Sequence, residues 1–294
     1  MKRILNRRQR VALFKFFALL SLVRWYNILI LILAQYLASV FILNPDKDWL
    51  TVILDPELFL VVLSSSFIIA SGFIINAFYD VERDIINKPG EVVIHRLISE
   101  KTALNFYFLF NTLGMITSFY VSKRIMLFNF LFSIALWFYS HKMRKISVLN
   151  DIAAVALTIA PFLIIVVYFD NINYAIFFYV AFIAIIEFIR EIIKDILGEK
   201  GDVIYGYHTV PIDFGIKKTK RLLYTAMALT PIPPVLLYLT YAIDKVAIYF
   251  GAAIIMVLMS SILVYRAKKQ ADFKVINTLY KIILALGILS IPLV

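Results

Sequence analysis

Two groups of acidic residues stand at the ends of long apolar segments. The first contains Asn76, Asp80 and Asp84, spaced so that three side chains share one face of a helix. The second contains Glu191 and Asp195 at the same four-residue spacing. Carboxylates bordering a bilayer core are costly to desolvate, so they normally face a polar cavity or an ion. Because Mg²⁺ binds a few carboxylates together with phosphate oxygens, the two groups predict one metal-diphosphate site.

The spacing alone leaves other interpretations open. Either group by itself also fits a solvated helix end, where the acids pair with Arg83, Arg190 or Lys194. Two groups on the same side of a membrane favour a shared site over two such ends. Acidic rows also serve cation transporters and phosphatases, so they do not name a substrate.

Long apolar runs must position these groups. Of the 294 residues, 62% are hydrophobic and 17% charged, a balance typical of a membrane protein that crosses the bilayer several times. The sequence predicts an all-α bundle of about nine transmembrane helices, with residues 1–294 forming a single domain. The predicted spans lie near 13–43, 57–79, 103–122, 125–140, 149–169, 173–197, 221–243, 246–265 and 275–294. The second acidic helix is expected to end near Gly198 and Gly201, with Asp202 beyond it.

The distribution of charge predicts an orientation. The chain has 30 Lys and Arg residues and a net charge of +11, and most of the basic residues fall on the side of the N-terminus. The positive-inside rule then places the N-terminus and both acidic groups in the cytoplasm and the C-terminus outside, in what we expect to be the cytoplasmic membrane. This bias and attraction to anionic headgroups account for the charge, so we expect membrane lipids and no nucleic acid as partners. The absence of cysteine excludes disulfides and thiolate ligands.

Four elements together resemble one known family. Asn76-xxx-Asp80-xxx-Asp84 is similar to the first acidic motif of the UbiA-type intramembrane prenyltransferases, and Glu191-xxx-Asp195 is similar to their second. The other two elements are Arg24-Trp-Tyr-Asn27, which resembles an R-P-x-N element, and Tyr139-Ser-His-Lys142-Met-Arg144, which resembles a Tyr/basic element. The resemblance covers essentially the whole chain. It implies a lipid-open central cavity in which Mg²⁺ and a prenyl diphosphate bind, the donor ionises, and an acceptor captures the allylic cation.

The resemblance, together with the positions and charges of the residues, indicates roles for individual side chains. We expect catalytic roles for four carboxylates: Asp80, Asp84, Glu191 and Asp195. The expected metal ligands are Asn76, Asp80, Asp84, Glu191, Asp195 and Asp202. The expected substrate-binding residues are Arg24, Asn27, Phe73, Tyr139, Lys142, Arg144 and Lys194. Among these, Lys142, Arg144 and Lys194 are candidates to stabilise the departing diphosphate, and a snorkelling Arg24 is the alternative to a ligand-binding one.

The nature of the acceptor depends on a shorter stretch. The segment from Arg190 to Asp195, followed by Gly201-Asp202 and Thr209-Val-Pro211, most resembles the geranylgeranylglyceryl phosphate geranylgeranyltransferases. Gly198 departs from that branch, which usually has another acidic residue there. An aromatic acceptor of the menaquinone or ubiquinone type is the main alternative, and a cation-coupled membrane transporter is the alternative from another class.

Overall fold

The computed structural model describes residues 6–90, 92–143, 146–171, 174–241 and 244–293. Within these ranges the chain folds into twelve α-helices and contains no β-strand longer than a single bridge between Ile94 and Ile98. The predicted all-α class is therefore confirmed. The helices are α1 (Arg7–Leu22), α2 (Trp25–Ala38), α3 (Trp49–Ile53), α4 (Pro56–Asn87), α5 (Glu100–Val121), α6 (Lys123–His141), α7 (Leu149–Phe169), α8 (Tyr174–Ile204), α9 (Val210–Leu229), α10 (Ile232–Tyr241), α11 (Asp244–Arg266) and α12 (Gln270–Leu289).

The helices account for the apolar runs seen in the sequence. Each predicted span overlaps one of them or a consecutive pair, since α1 and α2 share the first run and α9 and α10 share the seventh. Five segments in the described part of the chain are long and apolar enough to cross a membrane on length and composition alone. They are Trp25–Leu43, Pro56–Asn87, Leu149–Phe169, Val210–Tyr241 and Lys245–Arg266.

The first predicted span is wrong as a single helix. α1 ends at Leu22, and Arg24 adopts the left-handed conformation with φ of 50° before α2 begins. This conformation costs a residue other than glycine about 1–2 kcal/mol. The Arg24 guanidinium lies 5.2 Å from the centroid of the Phe73 ring on α4, and this cation–π contact offsets part of the cost. The break therefore places a cation beside α4, one turn before Asn76.

α4 is the helix around which the bundle packs, because buried polar side chains fasten its apolar half to four neighbours. Gln35 of α2 donates hydrogen bonds to Ser65 of α4 (3.0 Å) and to the backbone carbonyl of Pro161 in α7 (2.6 Å). All three groups lie inside the bundle, where an unmade hydrogen bond is expensive. The amide thus fixes α2 and α7 against α4.

A second buried amide fastens α4 to α5 and α6. Asn129 of α6 donates to Ser64 of α4 (3.0 Å) and to Ser118 of α5 (2.7 Å), and its side chain is fully buried. Gly114 of α5 permits the close approach, since a Cβ there would stand 2.6 Å from the Ile68 side chain of α4. The apolar half of α4 is therefore held rigidly, which fixes the direction in which its acidic end projects.

α8 corrects a second sequence expectation. The helix continues through Gly198 and Gly201 to Ile204, so Asp202 lies inside it and not beyond its end. Glycine has low helix propensity, but contacts with a neighbouring helix override that preference at these two positions.

Candidate active site

The first acidic group lies on one uninterrupted helix. α4 runs two turns past the predicted end at residue 79, so Asn76, Asp80 and Asp84 follow one another along the same face, as their spacing predicts. Asp80 is buried with 2% exposure, whereas a quarter of the Asp84 side chain is exposed. The Asn76 Oδ1 atom is buried and has no hydrogen-bond donor. This face therefore offers carbonyl and carboxylate oxygens in the interior of the bundle.

The second acidic group is also buried. Glu191 and Asp195 on α8 are exposed by 6% and 9%, and Asp202 by 2%. Their spacings of four and seven residues place all three on one side of α8, with Asp202 about 10 Å beyond Asp195 along the axis. The continuation of α8 therefore adds Asp202 to the same row.

A side-chain amide joins the two acidic helices. Asn87, at the end of α4, donates to the backbone carbonyl of Gly198 (2.8 Å) and accepts from the backbone N–H of Gly201 (2.8 Å). A Cβ at Gly201 would stand 2.6 Å from the Asn87 Nδ2 atom, so the approach requires glycine. The glycine pair thus serves as the surface on which α4 meets α8, which sequence analysis missed.

Arg83 lies between the two acidic groups. Its guanidinium is 3.5 Å from a carboxylate oxygen of each of Asp80, Asp84 and Asp202. The same group lies 5.4 Å from the centroid of the Tyr207 ring, just after α8. The structure therefore brings the first acidic group together with Asp202, with a cation among the three carboxylates.

α8 carries two further acid–base pairs of the same i, i+3 spacing. Lys194 donates to Glu191 at 2.6 Å, and Arg190 donates to Glu187. Lys194 was predicted to meet a diphosphate, and here it meets a carboxylate. Glu187 is only 3% exposed and was missed by sequence analysis. It precedes Glu191 by four residues, so Glu187, Glu191 and Asp195 have the same i, i+4, i+8 spacing as the first acidic group on α4.

A third helix contributes to the site from its N-terminus. Asp151 of α7 is fully buried, accepts a hydrogen bond from Asn150 (3.1 Å) and lies close enough to Asp195 for the two carboxyl groups to interact. Tyr139 of α6 donates to Asn150 (3.1 Å) and lies close enough to Glu191 and Asp195 to interact electrostatically with both. The structure therefore places Tyr139 beside the second acidic group. Asp151 was missed, and its position seven residues after the Tyr/basic element was the available signal.

The other predicted residues lie at varied positions. Arg24, at the break between α1 and α2, and Phe73 of α4 form the cation–π pair described above. Asn27 is half-buried in the first turn of α2, and Lys142 is exposed at the end of α6. Arg144 lies outside the described residues.

The donor set is suited to a hard divalent cation. Its oxygens come from carboxylates and one amide, and the Asn76 Oδ1, Asp151 Oδ2 and Asp195 Oδ2 atoms are buried without a hydrogen-bond donor. Orphaned buried oxygens of this kind fit a cation that would satisfy them. Within the described ranges no three His, Cys, Asp or Glu residues form a cluster that could hold a metal ion, and Arg83 and Lys194 form ion pairs with some of the carboxylates.

Comparison with known sequences identifies relatives along most of the chain. The sequence model of the UbiA prenyltransferase family matches residues 32–282. A digeranylgeranylglyceryl phosphate synthase of Korarchaeum cryptofilum is 28% identical over 265 residues, which cover 86% of this chain and 91% of the relative. One of Methanosarcina mazei is 30% identical over 68% of this chain and 72% of the relative.

Solved structures share the fold. The structure of a digeranylgeranylglyceryl phosphate synthase matches with a TM-score of 0.73 and 22% identity, over 95% of this chain and 97% of that one. A UbiA homologue of Archaeoglobus fulgidus bound to GPP and Mg²⁺ matches with a TM-score of 0.67 and 18% identity, over 93% and 99% of the two chains.

Proposed function

Because the chain belongs to the UbiA prenyltransferase family, we propose that it is an integral membrane enzyme that transfers a prenyl group from its diphosphate to a lipophilic acceptor. The observation that carries this proposal is the meeting of two buried acidic rows, on α4 and α8, around Arg83 and Asn87. Carboxylates buried at a bilayer border normally face an ion or a polar cavity, and the Mg²⁺ that accompanies a diphosphate would supply such an ion. Family membership favours this reaction over cation-coupled transport.

The residues that would hold Mg²⁺ are those of the two rows. They are Asn76, Asp80, Asp84, Glu191, Asp195 and Asp202. When bound, the metal supplies positive charge that stabilises the diphosphate as it departs. The UbiA homologue bound to GPP and Mg²⁺ supports metal dependence for this chain. The lipid-open central cavity is part of the same proposal.

The protein's own residues would orient the donor and exclude water. Lys194 has an ammonium group that can turn from Glu191 to phosphate oxygens, and Lys142 and Arg144 are further candidates for that contact. The C–O bond between the prenyl carbon and the diphosphate breaks, and the Phe73 ring, held against Arg24, forms a wall beside the resulting allylic cation. The oxygen of an acceptor hydroxyl then forms the new C–O bond to the allylic carbon, and the hydroxyl proton passes to the departed diphosphate. Asn27 on α2 is our candidate for a contact with the acceptor.

Geranylgeranylglyceryl phosphate is the acceptor that we propose, with geranylgeranyl diphosphate as donor. The support is that the relatives described above are named digeranylgeranylglyceryl phosphate synthases. The segment from Arg190 to Pro211, which resembles the geranylgeranylglyceryl phosphate geranylgeranyltransferases, supports the same acceptor. We also propose that residues 1–294 act as one domain in the cytoplasmic membrane, with the acidic site and the N-terminus in the cytoplasm and the C-terminus outside.

A transfer assay tests the proposal. Purified protein in lipid with Mg²⁺ is given labelled geranylgeranyl diphosphate and, in separate reactions, geranylgeranylglyceryl phosphate, 4-hydroxybenzoate or 1,4-dihydroxy-2-naphthoate. We expect product only with the glycerol phosphate, and none after chelation of the metal. Product on an aromatic acceptor would preserve the reaction class and overturn the acceptor. Metal-driven ion flux in proteoliposomes without any transfer would favour the transporter.

Variants of the acidic rows test the site separately. Asp80→Asn and Asp195→Asn each replace one carboxylate by an amide of the same shape. We expect each to lose most turnover while remaining folded and inserted, because the carboxylates bind a metal and other residues make the packing contacts. Normal turnover in both variants would remove these residues from the site.

A further inference from the structure

Arg83 is held by three carboxylates without forming a close pair with any of them. All three contacts measure 3.5 Å, whereas the Lys194–Glu191 pair on α8 measures 2.6 Å. Charge-assisted hydrogen bonds are strong at about 2.7–2.9 Å and weaken with distance. Each Arg83 contact is therefore individually weak, and the guanidinium sits as a shared counterion.

Among these four groups the carboxylates outnumber the guanidinium. Three carboxylates and one guanidinium have a formal sum of −2, and Asp80 and Asp202 have only 3% and 2% of their side chains exposed. Water therefore screens this charge poorly. A metal ion that binds these carboxylate oxygens must compete with the guanidinium that already lies among them.

We propose that Arg83 is an exchangeable counterion of the metal site that becomes a diphosphate-binding residue. With no metal bound, Arg83 keeps Asp80, Asp84 and Asp202 from repelling one another. When metal enters, the guanidinium leaves these oxygens and donates to the diphosphate that arrives with it. The Tyr207 ring, 5.4 Å away, keeps the side chain beside the site during this change. The proposal rests on the proposed function.

If this exchange occurs, loss of the guanidinium should change the affinity for metal and the affinity for diphosphate in opposite directions. Removing the guanidinium removes a competitor of the metal, so metal should bind more tightly. Removing it also takes away a phosphate donor, so a diphosphate should bind more weakly to the metal-loaded protein. A residue that only supported the fold would weaken both when lost.

Binding measurements without donor, acceptor or turnover test this directly. Arg83→Gln, Arg83→Lys and wild type are titrated with Mn²⁺, and free Mn²⁺ is read by electron paramagnetic resonance. Inorganic pyrophosphate is then titrated into the Mn²⁺-saturated proteins by calorimetry. Arg124→Gln is the matched control, because Arg124 pairs with Asp170 where both side chains are largely exposed.

For Arg83→Gln we expect Mn²⁺ affinity to rise by at least about fivefold, the low end of ordinary coupling between two sites. Pyrophosphate affinity should fall by about fivefold or more, and Arg124→Gln should change neither. Arg83→Lys, which keeps the charge but cannot span three carboxylates, should lie between wild type and Arg83→Gln and remains informative if the glutamine variant fails to fold. Unchanged or weaker Mn²⁺ binding in the folded Arg83 variants would overturn the proposal. A wild type that binds neither Mn²⁺ nor pyrophosphate would instead overturn the proposed function.

Discussion

The contact between Asn87 and the glycine pair gives a sharp test of how the two acidic helices are held together. In Gly201→Ala, the added Cβ would stand 2.6 Å from Nδ2 and 2.8 Å from Cγ of Asn87. The amide must move, which removes two hydrogen bonds worth about 0.5–1.5 kcal/mol each. Local overpacking adds about 1–3 kcal/mol, and the better helix propensity of alanine returns about 1 kcal/mol. The net loss of stability is therefore about 1–5 kcal/mol.

A double-mutant cycle isolates the cause. In an Asn87→Ala background the obstructing amide is gone, so Gly201→Ala should become neutral or stabilising by about 1 kcal/mol through helix propensity. Gly251→Ala on α11 is the control, because a Cβ there meets nothing within 4 Å. Thermal unfolding of the purified proteins in detergent ranks their stabilities. Titration of the transfer reaction with Mg²⁺ measures the metal concentration that each protein requires. We expect Gly201→Ala to need more Mg²⁺, since α8 is displaced from α4.

Two results would refute this reasoning. A Gly201→Ala protein as stable as Gly251→Ala, with the wild-type Mg²⁺ requirement, would show that the contact between Asn87 and the glycine pair affects neither stability nor metal binding. Additive losses in the double mutant would show that Asn87 is not the group displaced by the new methyl.

Three further changes separate structural from functional residues. Asn129→Ala should cost about 1–3 kcal/mol in thermal unfolding, because two buried hydrogen bonds are lost, yet leave the Mg²⁺ requirement unchanged; a shifted requirement would contradict the separation of the two halves of α4. Asp151→Asn should weaken Mn²⁺ binding by about tenfold, as losses next to metal ligands commonly do, and wild-type affinity would place Asp151 outside the site. Arg24→Gln should raise the donor KM with little change in melting temperature, because Arg24 is exposed; an unchanged KM would leave it a snorkelling residue.

The parts that local sequence could predict are those set by periodicity and hydropathy. Nine apolar runs predicted the positions of all the described helices except the short α3, because an apolar stretch near a bilayer must satisfy its backbone internally. The i, i+4, i+8 spacing of Asn76, Asp80 and Asp84 predicted one helical face, and α4 is helical throughout that stretch. The same reasoning would have found Glu187, since it stands four residues before Glu191.

Errors arose where a local preference met a contact from elsewhere in the chain. Gly198 and Gly201 favour a helix end, but Asn87 of α4 contacts both while α8 continues. Arg24 sits in an apolar run that favours an unbroken helix, but the chain breaks there beside Phe73. The two partners of each contact lie far apart in the sequence, so a prediction from neighbouring residues cannot detect either contact.

The sequence by itself determined the membrane character, the helices and the two acidic rows, because each depends on residues within a few turns of one another. Only the tertiary structure decided which groups from different helices meet. It placed Arg83 between Asp84 and Asp202, and Asp151 beside Asp195. Such meetings depend on how whole helices pack, and the packing depends on buried contacts spread along the chain, as at Gln35.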